Sequence, residues 1–476
     1  MSPSLLRFMA VMVLTCAATV FAYGQADVSS ATVKGTVTDQ QGAAVAGATV
    51  TAKNVDQGTT RSDTTNADGE FQILALRPGL YEINVQAQGF AQYLIKDAQL
   101  TVGQTASYGI KLDIAKVTNE VTVTSSAPLI EVERTQQSNT IESRQIENLP
   151  NVGRDFTSYV FTLPGVSSSN APRIQGGTRF TFGTSGFSIG GSNGRNNLIT
   201  IDGGENEYGS GQLRTPNISP ESVQEFQVNR NSFNAEFGFT AGTAVNVVTK
   251  SGTNNFHGSA YFYYRSDKTA AKERFIPSFI PAGTRAFQQQ AYPGFTLGGP
   301  IVKNKVFFFT NYERQKLDLP RFRSFTNNAL TCREDNAGFC APQKALLAAL
   351  AASSSDNVRR IGANLRTRLI TSPTGATAAY NLLQANEGII NAPFRLNSWI
   401  TRLDMNIGNS DTLTGRFSLT RNYNSQLTTD RLESPSYTTD LTYRDYTGTI
   451  GWPHNFAGSL VNQFRVQFSP DNSAVP

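Results

Sequence analysis

The sequence predicts an exported, mainly β chain: an N-terminal β-sandwich, an α+β middle domain, then the first strands of a large transmembrane antiparallel β-barrel, left incomplete. Three observations predict it. The chain opens on an export-type leader. Its first part alternates apolar and polar residues in short runs bounded by turn residues. Its C-terminal half alternates in runs of about ten residues, the length a tilted strand needs to cross a bilayer.

The leader spans residues 1–24. Arg7 supplies the positive charge, Met9 to Phe21 the apolar core, and Ala22-Tyr23-Gly24 a small-x-small cleavage pattern. A rival lipoprotein site at Leu14-Thr15-Cys16 fits poorly because of Thr15. No later stretch approaches about 18 uninterrupted apolar residues, so no helical span is expected. An exported chain without helical spans is either soluble outside the cytoplasm or a membrane β-barrel.

The 476 residues allow about three domains. Lys and Arg (41) exceed Asp and Glu (36) without forming a basic block, which argues against nucleic acid as a partner. His257 and His454 are the only histidines, and Cys16, Cys332 and Cys340 the only cysteines. That scarcity argues against zinc enzymes and against Ser-His-Asp or Cys-His catalysis, so no catalytic residue, metal or cofactor is expected.

Residues 31–115 form the predicted sandwich. Val33, Gly35 and Val37 share one strand face, as do Ala48, Val50 and Ala52; Phe71, Ile73 and Ala75; and Tyr81, Ile83, Val85 and Ala87. Gln41-Gly42, Asp68-Gly69 and Pro78-Gly79 are turn chemistry. Asn66 to Glu70 carries too few carboxylates for a calcium loop and reads as a hairpin turn. The run Gly35-Thr-Val-Thr-Asp39, Val45-Ala-Gly-Ala-Thr-Val50, Thr64-Thr-Asn-Ala-Asp-Gly-Glu-Phe71 and Pro78-Gly-Leu-Tyr81 resembles the carboxypeptidase regulatory-like domain. That resemblance implies an accessory periplasmic module without peptidase activity.

Residues 116–127 hold a short β-prone segment, Asn119, Glu120, Val121, Thr122, Val123, Thr124 and Ser125, followed by Pro128. It resembles the TonB box of TonB-dependent receptors. An extended segment of this kind can add to the sheet edge of a partner. Its other readings are the last strand of the sandwich or an ordinary linker.

Residues 128–252 resemble the α+β plug domain of those receptors. Ile146-Glu-Asn-Leu-Pro150, Gly153-Arg154-Asp-Phe156 and Leu163-Pro-Gly-Val166 match its start, in the Oar-like branch. Phe187-Ser-Ile-Gly190-Gly191-Ser-Asn-Gly-Arg195, continuing to Asp202-Gly203, matches its centre. Glu221 to Arg230, then Phe237 to Lys250, match its end. Asn231 and Thr243 depart from the wider family, where glycine is common, and favour the Oar-like branch over siderophore-type receptors. Gly190 to Arg195 lacks the Lys-Ser/Thr of a phosphate loop. Read by pattern alone, Gly190-Gly191 and Asp202-Gly203 bracket the strand Leu198–Ile201 in a hairpin-rich unit. Arg154, Arg195 and Arg230 either pair with acids inside a lumen or lie solvated on the surface.

Residues 256–476 form the predicted N-terminal portion of the barrel, with strands near 256–265, 291–301, 305–314, 397–407, 411–424, 439–451 and 459–469. Trp399, Thr401, Leu403, Met405 and Ile407 alternate with Ser398, Arg402, Asp404 and Asn406; Phe417 and Leu419 with Arg416, Ser418 and Thr420; Phe464, Val466 and Phe468 with Gln463, Arg465 and Gln467. Tyr261, Tyr263, Tyr264, Trp399, Tyr423, Tyr443 and Trp452 are candidate interfacial aromatics. Long and short connections alternate, as outer loops and periplasmic turns do. Loop 315–396 holds Cys332 and Cys340, for which a disulfide is expected, two free thiols being the alternative, and a short helix from Gln343 to Ala352. Seven strands cannot close around a plug, so the chain is read as the first part of a longer receptor.

The resemblance implies a receptor in the outer membrane of a Gram-negative-type bacterium. It would touch outer-membrane lipid, capture an unknown extracellular solute, an oligosaccharide among the candidates, and import it with energy from TonB and its inner-membrane energising complex. A SusC-like glycan importer and a surface adhesin are the competing expectations; no spacing of carboxylates selects an enzyme.

Overall fold

The computed structural model describes residues 29–114, 121–124, 137–151, 153–168, 187–192, 194–208, 212–213, 218–231, 238, 240, 242–269, 289–323, 348–366, 388–408, 410–424, 441–457, 460–470 and 473–474. The leader 1–24, Asn119, Glu120, Ser125, Cys332 and Cys340 lie outside the described residues.

Strands β1 (Ala31–Thr38), β2 (Thr49–Asn54), β3 (Thr60–Thr64), β4 (Glu70–Leu76), β5 (Gly79–Gln86), β6 (Tyr93–Leu100) and β7 (Thr105–Lys111) build a two-sheet sandwich. One sheet has the order β4-β1-β7; the other runs β3-β2-β5-β6 and ends on β8 (Val121–Thr124). Val33, Val50, Phe71, Ile83, Val85, Leu100 and Ile110 fill the space between them. The predicted alternation holds for β2 and β5. It fails at Ala75, whose φ of 56° accompanies a shift of register against β1, so that Leu76 and not Ala75 enters the core. Asn66 turns its own hairpin, its Oδ1 accepting from the amides of Asp68 and Glu70.

The middle domain begins with β9 (Gln137–Ile141) and a short helix α1 (Ser143–Asn148). A 3-10 turn at Phe156–Thr162 precedes β10 (Val166–Ser168) and β11 (Phe187–Ile189), which pair with each other. Then come β12 (Leu198–Ile201), β13 (Gly204–Glu205), the small pair β14 (Glu207–Tyr208) and β15 (Gln212–Leu213), β16 (Val223–Asn231) and β17 (Ala244–Thr249). The central sheet has the order β13-β12-β17-β16-β9. Asp202-Gly203 closes the β12–β13 hairpin as a two-residue turn with φ of 48° and 72°, the geometry that Asp-Gly favours. Phe156, Phe187, Phe226, Val245 and Val247 form its core, to which Ile400 of the barrel adds.

The barrel strands are β18 (His257–Ser266), β19 (Gln289–Val302), β20 (Val306–Arg323), β21 (Gly388–Ile407), β22 (Asp411–Asn424), β23 (Leu441–Ala457) and β24 (Leu460–Phe468). They pair as one antiparallel meander in chain order, with the two-residue β25 (Ser473–Ala474) beside β23. Among the described residues the sheet stays open, with β18 and β24 as its edges. Trp399, Leu403, Met405, Ile407, Phe417, Phe464, Val466 and Phe468 are exposed on one face, while Ser398, Arg402, Asp404, Arg416 and Thr420 are buried on the other. No helix among the described residues is long and apolar enough to cross a membrane.

Four expectations change, the first being that β23 runs to Ala457, six residues past the strand read at 439–451. β20 and β21 run nine residues further than read, to Arg323 and from Gly388, because residues 315–323 pair with 388–396. There the inner face turns apolar, with Tyr292, Leu317, Phe394 and Leu396 buried together, so the polar-inward pattern stops before the strand does. Tyr261 and Tyr263 are not interfacial: their hydroxyls reach inward to Glu313 and Glu221, and Phe262 and Tyr264 take the outer face. In the long loop, residues 348–351 are helical as expected, but a second helix, α2 (Asp356–Arg366), follows them.

An arginine on the outer face should be costly where one inside is not. Leu403→Arg is expected to cost about 2–4 kcal/mol if Leu403 sits near the bilayer midplane. Heat-modifiable mobility of receptor extracted from membranes, set against wild type, measures the assembled fraction, which should fall.

Candidate functional site

The middle domain meets the barrel wall through charge, in two clusters. A charge withdrawn from water needs a counter-charge and hydrogen bonds. The sequence supplies both from strands distant in the chain.

The first cluster centres on Arg154, whose φ is 50°. Its guanidinium donates to Glu313 Oε2 of β20 at 2.9 and 2.6 Å, to Glu221 Oε2 and, at 3.3 Å, to Ser219 Oγ. Tyr263 and Tyr261 present their rings 4.4 and 5.0 Å from Arg154 Cζ. Glu313 is fully buried and also accepts from Gln315, Ser219 and Tyr261. Every oxygen of the buried carboxylate therefore has a donor.

The second cluster is an alternating row. Asp202, in the β12–β13 turn, lies 3.1 Å from Arg416 Nε and 2.9 Å from Arg402 Nη1. Arg402 Nε lies 3.0 Å from Asp404, and Asp404 lies 2.9 Å from Arg77 of the sandwich. Thr249 donates to Asp202 from its amide and hydroxyl, while Ser251 and Thr414 donate to Asp404. Gly203 completes the arrangement: Arg465 of β24 donates to its carbonyl at 3.2 Å, and a Cβ there would stand 2.2 Å from the guanidinium carbon. Its positive φ favours glycine, and a side chain there would have to displace the Arg465 guanidinium.

The sandwich also touches the middle domain directly. Glu225 and Gln227 of β16 face the Val102-Gly103 turn, where the Val102 amide donates to Glu225 and Gln227 donates to the Val102 carbonyl. A Cβ on Gly103 would lie 2.6 Å from Gln227 Oε1. Burial, with this one backbone hydrogen bond opposing it, pushes the Glu225 carboxyl up to about 8.

The candidate residues thus separate. Asp202 and Gly203 share the second cluster, and Arg154 anchors the first. Arg230 stays within its own domain, donating to Asn139 and to the Pro164 carbonyl and meeting neither cluster. Gly190 and Gly191 turn the chain after β11 with φ of 61° and 79°, and Arg195 lies in a 3-10 turn at Gly194–Asn196. Of the segment 119–125, Val121 to Thr124 form β8, paired in parallel with Tyr93 to Lys96 of β6. Sequence reasoning did not single out Glu221, Glu225, Glu313 or Arg77, or Arg402, Asp404, Arg416 and Arg465 as partners. The available signal was a charge at an inward position of a lipid-facing strand, which demands a partner without naming it. Among the described residues, no group of three or more His, Cys, Asp or Glu could hold a metal ion.

Three family models match successive parts of the chain: a carboxypeptidase regulatory-like domain at 32–113, a TonB-dependent receptor plug domain at 131–245 and an outer membrane β-barrel domain at 248–476. The TonB-dependent transporter Oar of Myxococcus xanthus is 27% identical over 303 residues, 61% of this chain and 27% of that protein. A protein of Acinetobacter baumannii described as "Probable TonB-dependent siderophore receptor PirA" is 28% identical over 193 residues, 37% of this chain and 23% of that one. Among solved structures, a mutant of the ferric enterobactin receptor PfeA of Pseudomonas aeruginosa with enterobactin is 15% identical at a TM-score of 0.43, covering 71% of this chain and 41% of that one. The siderophore receptor PirA of the same species is 15% identical at 0.40, covering 70% and 40%. The chain spans about a quarter of the length of the curated relatives it matches. It carries the three domains in this order and is a homologue of TonB-dependent transporters, an outer-membrane β-barrel protein with a plug. Its homologues are transporters and receptors, not enzymes, in line with the reading of the sequence.

Two outcomes test these clusters. Arg154→Ala leaves Glu313 buried without its counter-charge and is expected to cost about 3–5 kcal/mol. Arg154→Ala with Glu313→Gln should cost less than the sum of the two single changes, measured by urea unfolding of the purified receptor. The raised Glu225 pKa makes sandwich docking pH-dependent. The contribution is fully present below the ordinary value of 4.5, declines as pH rises and is lost by about 8. Protection of the Val102 amide, corrected for intrinsic exchange, should fall across that window in wild type and stay flat in Glu225→Gln.

Proposed function

We propose that this chain, with the sandwich, plug and barrel of the TonB-dependent transporters, belongs to a receptor that binds a solute outside the cell and imports it to the periplasm with energy passed by TonB and its inner-membrane complex. The observation that carries this reading is the chemistry of the plug contact. The plug is held in the lumen largely by ion pairs and hydrogen bonds. Water can replace such charge-assisted bonds at a net cost of about 1.5–3 kcal/mol each, whereas an apolar weld has no aqueous substitute. A stopper fastened this way can shift and return.

The segment 119–125 is the proposed handle. Val121 to Thr124 are paired with β6 at rest, so TonB would capture them by exchanging one sheet edge for another. The same pairing favours a second reading, in which these residues are only the last strand of the sandwich. For the solute, the description of the Acinetobacter relative favours a siderophore. The departures at Asn231 and Thr243 favour the Oar-like branch, whose Myxococcus relative is described without a solute. The names of these relatives lend no support to an oligosaccharide.

Deleting residues 119–125 in the receptor should abolish energised uptake while leaving solute binding to whole cells intact. Uptake at the wild-type rate would leave the segment a structural strand.

A further inference from the structure

Among the described residues, Arg77 is the sandwich side chain that enters the charge row fastening the plug, through Asp404. It sits in the β4–β5 connection before Pro78, and its carbonyl accepts from the Tyr81 hydroxyl at 3.0 Å. Its guanidinium donates to Gln57 Oε1 and to Thr414 Oγ1 of the barrel, and it pairs with Asp404 at 2.9 Å. Gln57 in turn donates to Ser251 and to the Gly252 carbonyl, so Arg77 is aimed by contacts on both sides of the domain junction.

We propose that Arg77 is a positioning residue that couples docking of the sandwich to retention of the plug. Asp404 is fully buried and has two counter-charges, Arg77 and Arg402. Arg402 is shared between Asp404 and the plug's Asp202. Withdrawal of Arg77 leaves Asp404 with half its positive neighbours. A buried carboxylate in that state draws Arg402 closer or admits water, and either response weakens the Arg402–Asp202 contact. Asp202 then keeps Arg416 alone, and the turn that fixes the Thr249 amide loosens. A pull that lifts the sandwich would loosen the plug's ion pairs with the barrel through Asp404, in addition to breaking the direct contact at Val102-Gly103. The coupling is independent of the solute; its use in import rests on the function proposed above.

Hydrogen exchange of the purified receptor in detergent, without TonB or solute, tests the coupling alone, so its failure leaves the transport reading standing. In Arg77→Ala the Asp202 and Thr249 amides should exchange roughly tenfold faster or more. Amides of Ile83 and Val85 in the sandwich core should keep their protection, which shows that domain still folded. Arg77→Lys, which keeps the charge but loses the planar guanidinium fork that reaches Gln57 and Asp404 at once, should fall between. In an Asp404→Asn background, Arg77→Ala should change Thr249 exchange by less than about twofold, because the carboxylate that relays the effect is gone. Unchanged exchange at Asp202 and Thr249 in Arg77→Ala, or an equal effect of Arg77→Ala with and without Asp404, would overturn the proposal.

Discussion

A strand that crosses a bilayer has two solvents, and everything else in this molecule follows from that constraint. Hydrocarbon on one side admits no charge without a large cost, and a lumen on the other offers water and polar partners. Leu403 and Met405 therefore alternate with Arg402 and Asp404 on the same ten-residue stretch. The inward charges could be met by water alone. Here they are met by the plug, whose Asp202 fits between Arg402 and Arg416, and by the sandwich, whose Arg77 reaches Asp404. The alternation imposed by lipid thus supplies the sockets that hold the other two domains.

Those sockets have the energetic character of the two clusters. Arg154 and Glu313 are almost fully buried, as are Arg402 and Asp404. Breaking one partner of such a pair is expensive, yet the intact pair adds little beyond an apolar contact of the same volume. A contact of this kind is specific in position and weak in net depth. It suits a stopper better than Phe226 or Val245, which fold the plug on itself and leave Ile400 as its apolar link to the wall.

How much of this could be read from the sequence depends on whether the cause was local. Strand β22 was placed at its observed ends, since lipid imposes a period of two on each residue of it. The Asp202-Gly203 turn was legible because its positive φ values suit those residue types. Strands β20 and β21 were cut short where Leu317, Phe394 and Leu396 reverse the inner pattern. Tyr261 and Tyr263 read as interfacial residues in the sequence, since an aromatic on a barrel strand does not declare which face it occupies until a partner such as Glu313 is found. The pairing of Arg154 with Glu313 joins residues 159 apart, and nothing in the spacing of either could specify the other. The strand Val121–Thr124 was legible as extended chain, but its seat on β6 depends on a sheet edge made elsewhere.

In this architecture the outer face of residues 397–468 meets acyl chains while the inner face encloses the plug. The chain has two tryptophans, Trp399 and Trp452, and both lie on the outer face. Reconstitution into bilayers whose acyl chains carry bromine, with these two as the fluorophores, measures the lipid contact directly. Their emission should be strongly quenched relative to unbrominated lipid. Emission that is indifferent to brominated lipid would contradict this architecture.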